Sequence, residues 1–172
     1  MYERSHCFKG EFRMVFGRKR QLGRQITEMS VGEKLKLTEK IEDKDLLLYL
    51  GLTNDANPLY LQHDFASQTE YEKPIVPAVM LTGIVTSAAT KHLPGPGSHV
   101  IEQNLSFPKA VYHYETINIE LEVTSLDETD NLAEISVNAV NEENELVIQG
   151  NLKVRPTKKI ERLTSEAMKN FF

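Results

Sequence analysis

The 172-residue chain reads as an α+β domain in which an antiparallel sheet wraps around one central apolar helix. Three observations predict it. Residues Ala78 to Ala89 carry no charge over roughly three helical turns, between Pro77 and the breaking run Pro94-Gly95-Pro96-Gly97. Four later runs alternate apolar and polar residues at the two-residue period of a strand. Only turn-rich segments separate the last three runs, which is the pattern of an antiparallel meander.

Each element follows in chain order. Leu35, Leu37 and Ile41 alternate with Lys34, Lys36 and Lys40, which predicts a first strand with one buried face. Asp43 is expected to cap a helix whose apolar face is Leu46, Leu47 and Leu50. Thr53-Asn54-Asp55-Ala56-Asn57-Pro58 is a loop, because Asn, Asp and Pro all favour bends. A short helix is expected around residues 62–68. The helix of residues 78–89 should be buried nearly all round, and Pro77 suits its first turn, where a missing N–H costs nothing. Ile101, Gln103, Leu105 and Phe107 should share one face of the next strand. Ile117, Ile119, Leu121 and Val123 then alternate with Asn118, Glu120 and Glu122. Ile135, Val137 and Ala139 follow, and Ile148, Leu152 and Val154 close the sheet. Asp127–Asn131 and Asn141–Glu145 are the hairpin turns. A sheet folded over a single apolar helix gives each a partner for its hydrophobic face.

The boundaries expected from this pattern are a basic extension over residues 1–24, one domain over 25–155 and a tail over 156–172. The formal charge is −5. Seven Lys or Arg stand against Glu3 and Glu11 within the first 24 residues, about +5, so the rest carries about −10. An acidic body gives no reason to expect nucleic-acid binding. Its basic arm, with Arg18, Lys19 and Arg20, has the composition to meet an acidic carrier protein or a phosphate, or simply to be a solvated tail. Met14 is an alternative start. Cys7 is the only cysteine, which excludes an internal disulfide and a cysteine metal site. His92, His99 and His113 lack ligand spacing, so no metal or cofactor is expected. No apolar run approaches the ~20 residues of a membrane span, and a cytoplasmic protein is the expectation.

The loop carries the chemistry. Asp55-Ala56-Asn57-Pro58-Leu59-Tyr60 resembles the Asp-x-Asn-Pro-x-His signature of MaoC-like (R)-specific enoyl-CoA hydratases. Tyr71-Glu72-Lys73-Pro74-Ile75-Val76 resembles that family's lead into its central helix. Leu93-Pro94-Gly95-Pro96-Gly97-Ser98 and Leu105-Ser106-Phe107 resemble its next two landmarks, in the same chain order. The resemblance covers about residues 24–155 and implies a hot-dog fold. It further implies addition of water to a trans-2-enoyl thioester, carried on coenzyme A or acyl-carrier protein, to give an (R)-3-hydroxyacyl thioester, or the reverse dehydration. The implied partners are a second copy in a homodimer, or another hot-dog subunit in a heterodimer.

By that resemblance Asp55 is the catalytic base, and Tyr60 stands where the family has its catalytic His. Asn57 shapes the loop beside the substrate. The N–H of Ala78 or Val79, at the start of the central helix, polarises the thioester carbonyl. The chemistry is reasonable: a carboxylate beside an apolar pocket gains basicity, and orphan N–H groups at a helix start make an oxyanion site. Tyr60 and the Pro77-Ala78 pair depart from the family pattern, which has His and His-Gly there. A Tyr with an ordinary pKa of about 10 is a poor base at neutral pH but a serviceable donor. His63, one turn beyond Tyr60, is a candidate substitute imidazole. Ser87 and Ser106 lack the context of a nucleophile elbow. The rival readings are a non-catalytic acyl-thioester binder or structural partner of a catalytic subunit, and a hot-dog thioesterase. The thioesterase ranks last because it usually draws a carboxylate from the central helix, and residues 78–89 have none. A salt-bridged Asp55 with Tyr60 filling the cleft would favour the binder.

Overall fold

The computed structural model describes residues 22–158. Met14, Cys7, most of the basic extension and the tail beyond residue 158 lie outside the described residues. A 3₁₀ turn at Ile26–Glu28 precedes β1 (Lys34–Lys40), α1 (Asp43–Thr53), α2 (Pro58–Leu61), α3 (His63–Ala66) and α4 (Ala78–His92). Four strands follow: β2 (His99–Ser106), β3 (Thr116–Asp127), β4 (Leu132–Val140) and β5 (Leu146–Arg155). They form one five-stranded sheet in the order β1-β3-β4-β5-β2, and every pairing is antiparallel. This is the hot-dog arrangement, with the sheet curved over α4.

The core lies between α4 and the concave face of the sheet. Leu81, Val85, Ala88 and Ala89 of α4 meet Ile119, Leu121 and Val123, Ile135 and Val137, and Leu152 and Val154 in one cluster. The alternation read from the sequence therefore points the right residues inward on β3, β4 and β5, because the side-chain period of a strand is two. The hairpin turns fall where expected.

Five details differ from the sequence expectation. The α1 helix starts at Asp43 itself, so its cap lies one residue earlier than proposed. Glu42 is its N-cap, and its N–H donates to Asp45 Oδ2 at 3.1 Å, half of a capping box. Its buried residue is Tyr49, while Leu47 of the expected apolar face is 68% exposed. The α4 helix is buried on one side only: Val79 is 59% exposed and Gly83 faces open space. Pro77 is the residue before its first turn rather than within it. On β2 the expected face slips. A register shift between Val100 and Glu102 places Val100 and Leu105 against the core and leaves Ile101 at 40% exposure. One extra residue in a strand reverses the facing of everything beyond it.

Candidate active site

The loop after α1 is built from local hydrogen bonds. Asn54 ends the helix in the left-handed region at φ 54°, and its N–H donates to the Leu50 carbonyl at 2.8 Å. Asn is one of the few non-glycine residues that adopts this conformation routinely. Asp55 then turns back. Its N–H donates to Thr53 Oγ1 at 3.2 Å, and its Oδ1 accepts the Asn57 N–H at 3.2 Å. Asn57 in turn caps α2: its Oδ1 accepts the Leu59 N–H at 3.0 Å, with Pro58 at the first helical position. The Leu59 carbonyl accepts the Ile75 N–H at 3.2 Å, which ties α2 to the segment leading into α4.

The second carboxylate oxygen of Asp55 is engaged by a residue that sequence reading missed. Tyr49 Oη donates to Asp55 Oδ2 at 2.6 Å. The Tyr49 phenol is held above its ordinary value of 10.0, first by this bond to a carboxylate and then by burial. Its ring also meets the ring of Tyr60 edge to face, with centroids 6.3 Å apart and planes at 80°, a favoured aromatic geometry. The signal available in the sequence was a single phenol within the aliphatic run Leu46-Leu47-Leu48-Tyr49-Leu50, ahead of the loop.

Two cavities flank α1. An apolar one of about 400 Å³ lies between α1, α4 and the end of β1, and Leu37, Leu48, Tyr49, Val79, Met80 and Ile84 contribute to its wall. A more polar one of about 370 Å³ holds Tyr60 with Asp43, His63, Lys73 and Tyr112. Tyr49 thus lines the apolar cavity and Tyr60 the polar one, and Val79 is the only predicted site residue on the apolar wall. Asp55 lies behind Tyr49, half-buried, with no ion pair among the described residues. In the polar cavity Asp43 is engaged by the Tyr114 hydroxyl. The Tyr112 hydroxyl donates to the Tyr71 carbonyl at 3.1 Å, and burial raises that phenol above its ordinary value.

At the start of α4, the Pro77 carbonyl accepts the N–H groups of Met80 at 2.9 Å and Leu81 at 3.4 Å. The N–H groups of Ala78 and Val79 precede these and have no carbonyl one turn back to bond. Among the described residues they bond no acceptor, which leaves them for an oxygen on a ligand, and the dipole of a 15-residue helix favours negative charge at this end. The structure therefore brings Asp55, Asn57 and Tyr60 together through Tyr49 and the loop bonds. It places Val79 across the cavity from α1. His63 lines the polar cavity and His92 an end of the apolar one. Both ring nitrogens of His113 are sequestered without a partner among the described residues. No group of three or more His, Cys, Asp or Glu among the described residues has a metal-binding arrangement. No described helix is long and apolar enough to cross a membrane.

Residues 24–145 match the family described as the MaoC like domain. An (R)-specific enoyl-CoA hydratase of Aeromonas caviae is 30% identical over 127 residues, covering 74% of this chain and 95% of that protein. The mitochondrial 3-hydroxyacyl-[acyl-carrier-protein] dehydratase FERN of Solanum lycopersicum is 28% identical over 124 residues, covering 71% of this chain and 74% of that protein. Among solved structures, R-hydratase PhaJ1 of Pseudomonas aeruginosa superposes with a TM-score of 0.74 at 24% identity, covering 81% of this chain and 92% of its own; it shares the fold. The family match spans well over half of the chain, and the protein belongs to the MaoC-like domain family.

Proposed function

We propose that this protein is a hydratase or dehydratase acting on enoyl and 3-hydroxyacyl thioesters of coenzyme A or acyl-carrier protein. The observation that carries the reading is the apolar cavity between α1 and α4. It has Tyr49, hydrogen-bonded to Asp55, in its wall and Val79, at the start of α4, opposite. A cavity of this size and lining suits an acyl chain. Asp55 serves as the base, with Asn57 holding its loop. The N–H groups of Ala78 and Val79 receive the thioester oxygen as negative charge develops on it. Tyr60 acts from the far side of the Tyr49 ring as an accessory donor. The protein works as a homodimer, or pairs with another hot-dog subunit. The relatives support the reaction class, since the curated ones are named as a hydratase and a dehydratase of acyl thioesters.

The test is a spectrophotometric hydration assay with crotonyl-CoA and a longer enoyl-CoA, wild type against Asp55→Asn. Turnover by wild type and a loss of about 10²–10⁴-fold in the variant is the expected result. Absence of turnover by wild type on both substrates refutes the reading. The binder or structural-partner reading rests on a different observation: Tyr60, at the signature's His position, lies in the polar cavity rather than on the apolar wall. Binding of enoyl-CoA without turnover would be its mark.

A further inference from the structure

Asp55 needs a second acid–base group to complete a water addition, and the signature position offers only Tyr60. Tyr60 lines the wrong cavity for direct contact with an acyl chain beside α4. Tyr49 meets three requirements at once. It is in the wall of the apolar cavity, its hydroxyl is 2.6 Å from Asp55 Oδ2, and it is held by packing at 7% exposure. Among the described residues, no other side chain belongs both to that wall and to the hydrogen-bond partners of the Asp55 carboxylate. The Tyr60 ring against its edge and the Thr53 hydroxyl bonded to its carbonyl at 2.8 Å fix its position further.

We infer that Tyr49 and Asp55 form the acid–base pair of this cavity, with the Tyr49 hydroxyl as the proton donor to the acyl chain. The inference rests on the hydratase reading above. In the hydration direction, a water in the cavity gives a proton to Tyr49 Oη as the Tyr49 proton passes along the existing hydrogen bond to Asp55 Oδ2, and the water oxygen bonds to C3 of the enoyl thioester. The C2–C3 π pair moves to C2 and the thioester carbonyl, whose oxygen is received by the N–H groups at the start of α4. The Tyr49 O–H bond breaks and its proton goes to C2, leaving a phenolate. The proton now on Asp55 then crosses the existing hydrogen bond to that phenolate, restoring both groups. One water is added across the double bond and nothing is oxidised or reduced. A phenol whose ordinary value is 10.0 is protonated at neutral pH, as a donor must be, and the bond to Asp55 only strengthens that preference. A thioester enolate carbon is a much stronger base than a phenolate, so the transfer runs downhill.

The test uses the full-length protein and the same enoyl-CoA assay with three proteins besides wild type: Tyr49→Phe, Asp55→Asn, and protein carrying fluorinated tyrosine at position 49. Tyr49→Phe keeps the ring, its contact with Tyr60 and the cavity wall. Its kcat should fall about 10²–10⁴-fold with KM nearly unchanged. Fluorination acidifies the phenol and should carry the alkaline limb of the kcat profile to lower pH, a shift that a merely structural Tyr would not cause. Wild-type kcat in Tyr49→Phe, with activity still lost in Asp55→Asn, overturns this inference and leaves the hydratase reading standing. A slow Tyr49→Phe whose fluorinated counterpart keeps the wild-type pH profile also overturns it, by reducing Tyr49 to a packing role. Absence of turnover by wild type overturns both.

Discussion

Asp55 makes its hydrogen bonds within a span of nine residues: its N–H donates to Thr53, and its carboxylate accepts from Tyr49 and from the backbone of Asn57. This economy makes the loop sensitive to single changes. Asn57→Ala removes the acceptor for the Leu59 N–H and should lower stability by about 1 kcal/mol in denaturant titration, with a larger loss of activity if Asp55 moves with the loop. A variant as stable and active as wild type would show the cap to be dispensable. Tyr49 gives a pH signature. Its phenol is raised in the folded state above the ordinary value of 10.0, so folding favours the protonated form. The stability from this bond is fully present below about pH 10 and is lost as pH rises through the folded value. Alkaline thermal melts should therefore fall more steeply for wild type than for Tyr49→Phe, and equal slopes would count against a bond of consequence.

At the scale of the element, α4 and β5 carry glycines with opposite roles. A Cβ at Gly83 on α4 meets nothing within 4 Å, and the helix gains little from a glycine there. Gly83→Ala should stabilise the protein by about 0.5–1 kcal/mol, the usual cost of glycine in a helix interior. A destabilised variant would mean that the open wall of the cavity is occupied in solution. Gly150 on β5 has φ 155°, and a Cβ there would lie 2.0 Å from the Asn104 carbonyl oxygen on β2. Gly150→Ala must push β2 away and should cost more than about 1 kcal/mol. Retained stability in a denaturant titration would show that the edge strand yields easily. Leu152→Ala, in the fully buried centre of β5, is expected to cost about 2–5 kcal/mol.

Across the whole molecule, charge and exposure are distributed unevenly. Lys34 and Lys36 of β1 pair with Glu120 and Glu122 of β3 on the outer face of the sheet. The lysines hold the Glu120 carboxyl below its ordinary value of 4.5, so its small contribution is present above that value and is lost as pH falls through the lowered one. These pairs are exposed, so added salt should weaken them and leave the melting temperature nearly unchanged. Exposed Leu48 and Leu52 on α1 and Val79 on α4 form an apolar rim at the cavity. Such a rim is consistent with the proposed dimer. Light scattering should return twice the 19.6 kDa chain mass, and a monomer at assay concentration would remove the homodimer from the proposal.

What the sequence by itself determined was the five strands, the two longer helices and the family. The two-residue period of β3, β4 and β5 named their buried faces, because alternation is a local property of an extended chain. The turn through Asp55 and Asn57 was legible as well, because Asn, Asp and Pro write their turn into adjacent residues. Three matters were decided only by tertiary structure. Ile101 faces outward because a bulge in β2 answers to its pairing with β5, which no local pattern records. The α4 helix, charge-free throughout, is covered on one side only, since an apolar composition does not say how much partner surface exists. Tyr49 reaches Asp55 because α1 ends in a left-handed turn that folds the loop back along the helix. Spacing along the chain gave no hint that this phenol, rather than Tyr60, would stand between the carboxylate and the apolar cavity, because that separation depends on how α1 packs against α4.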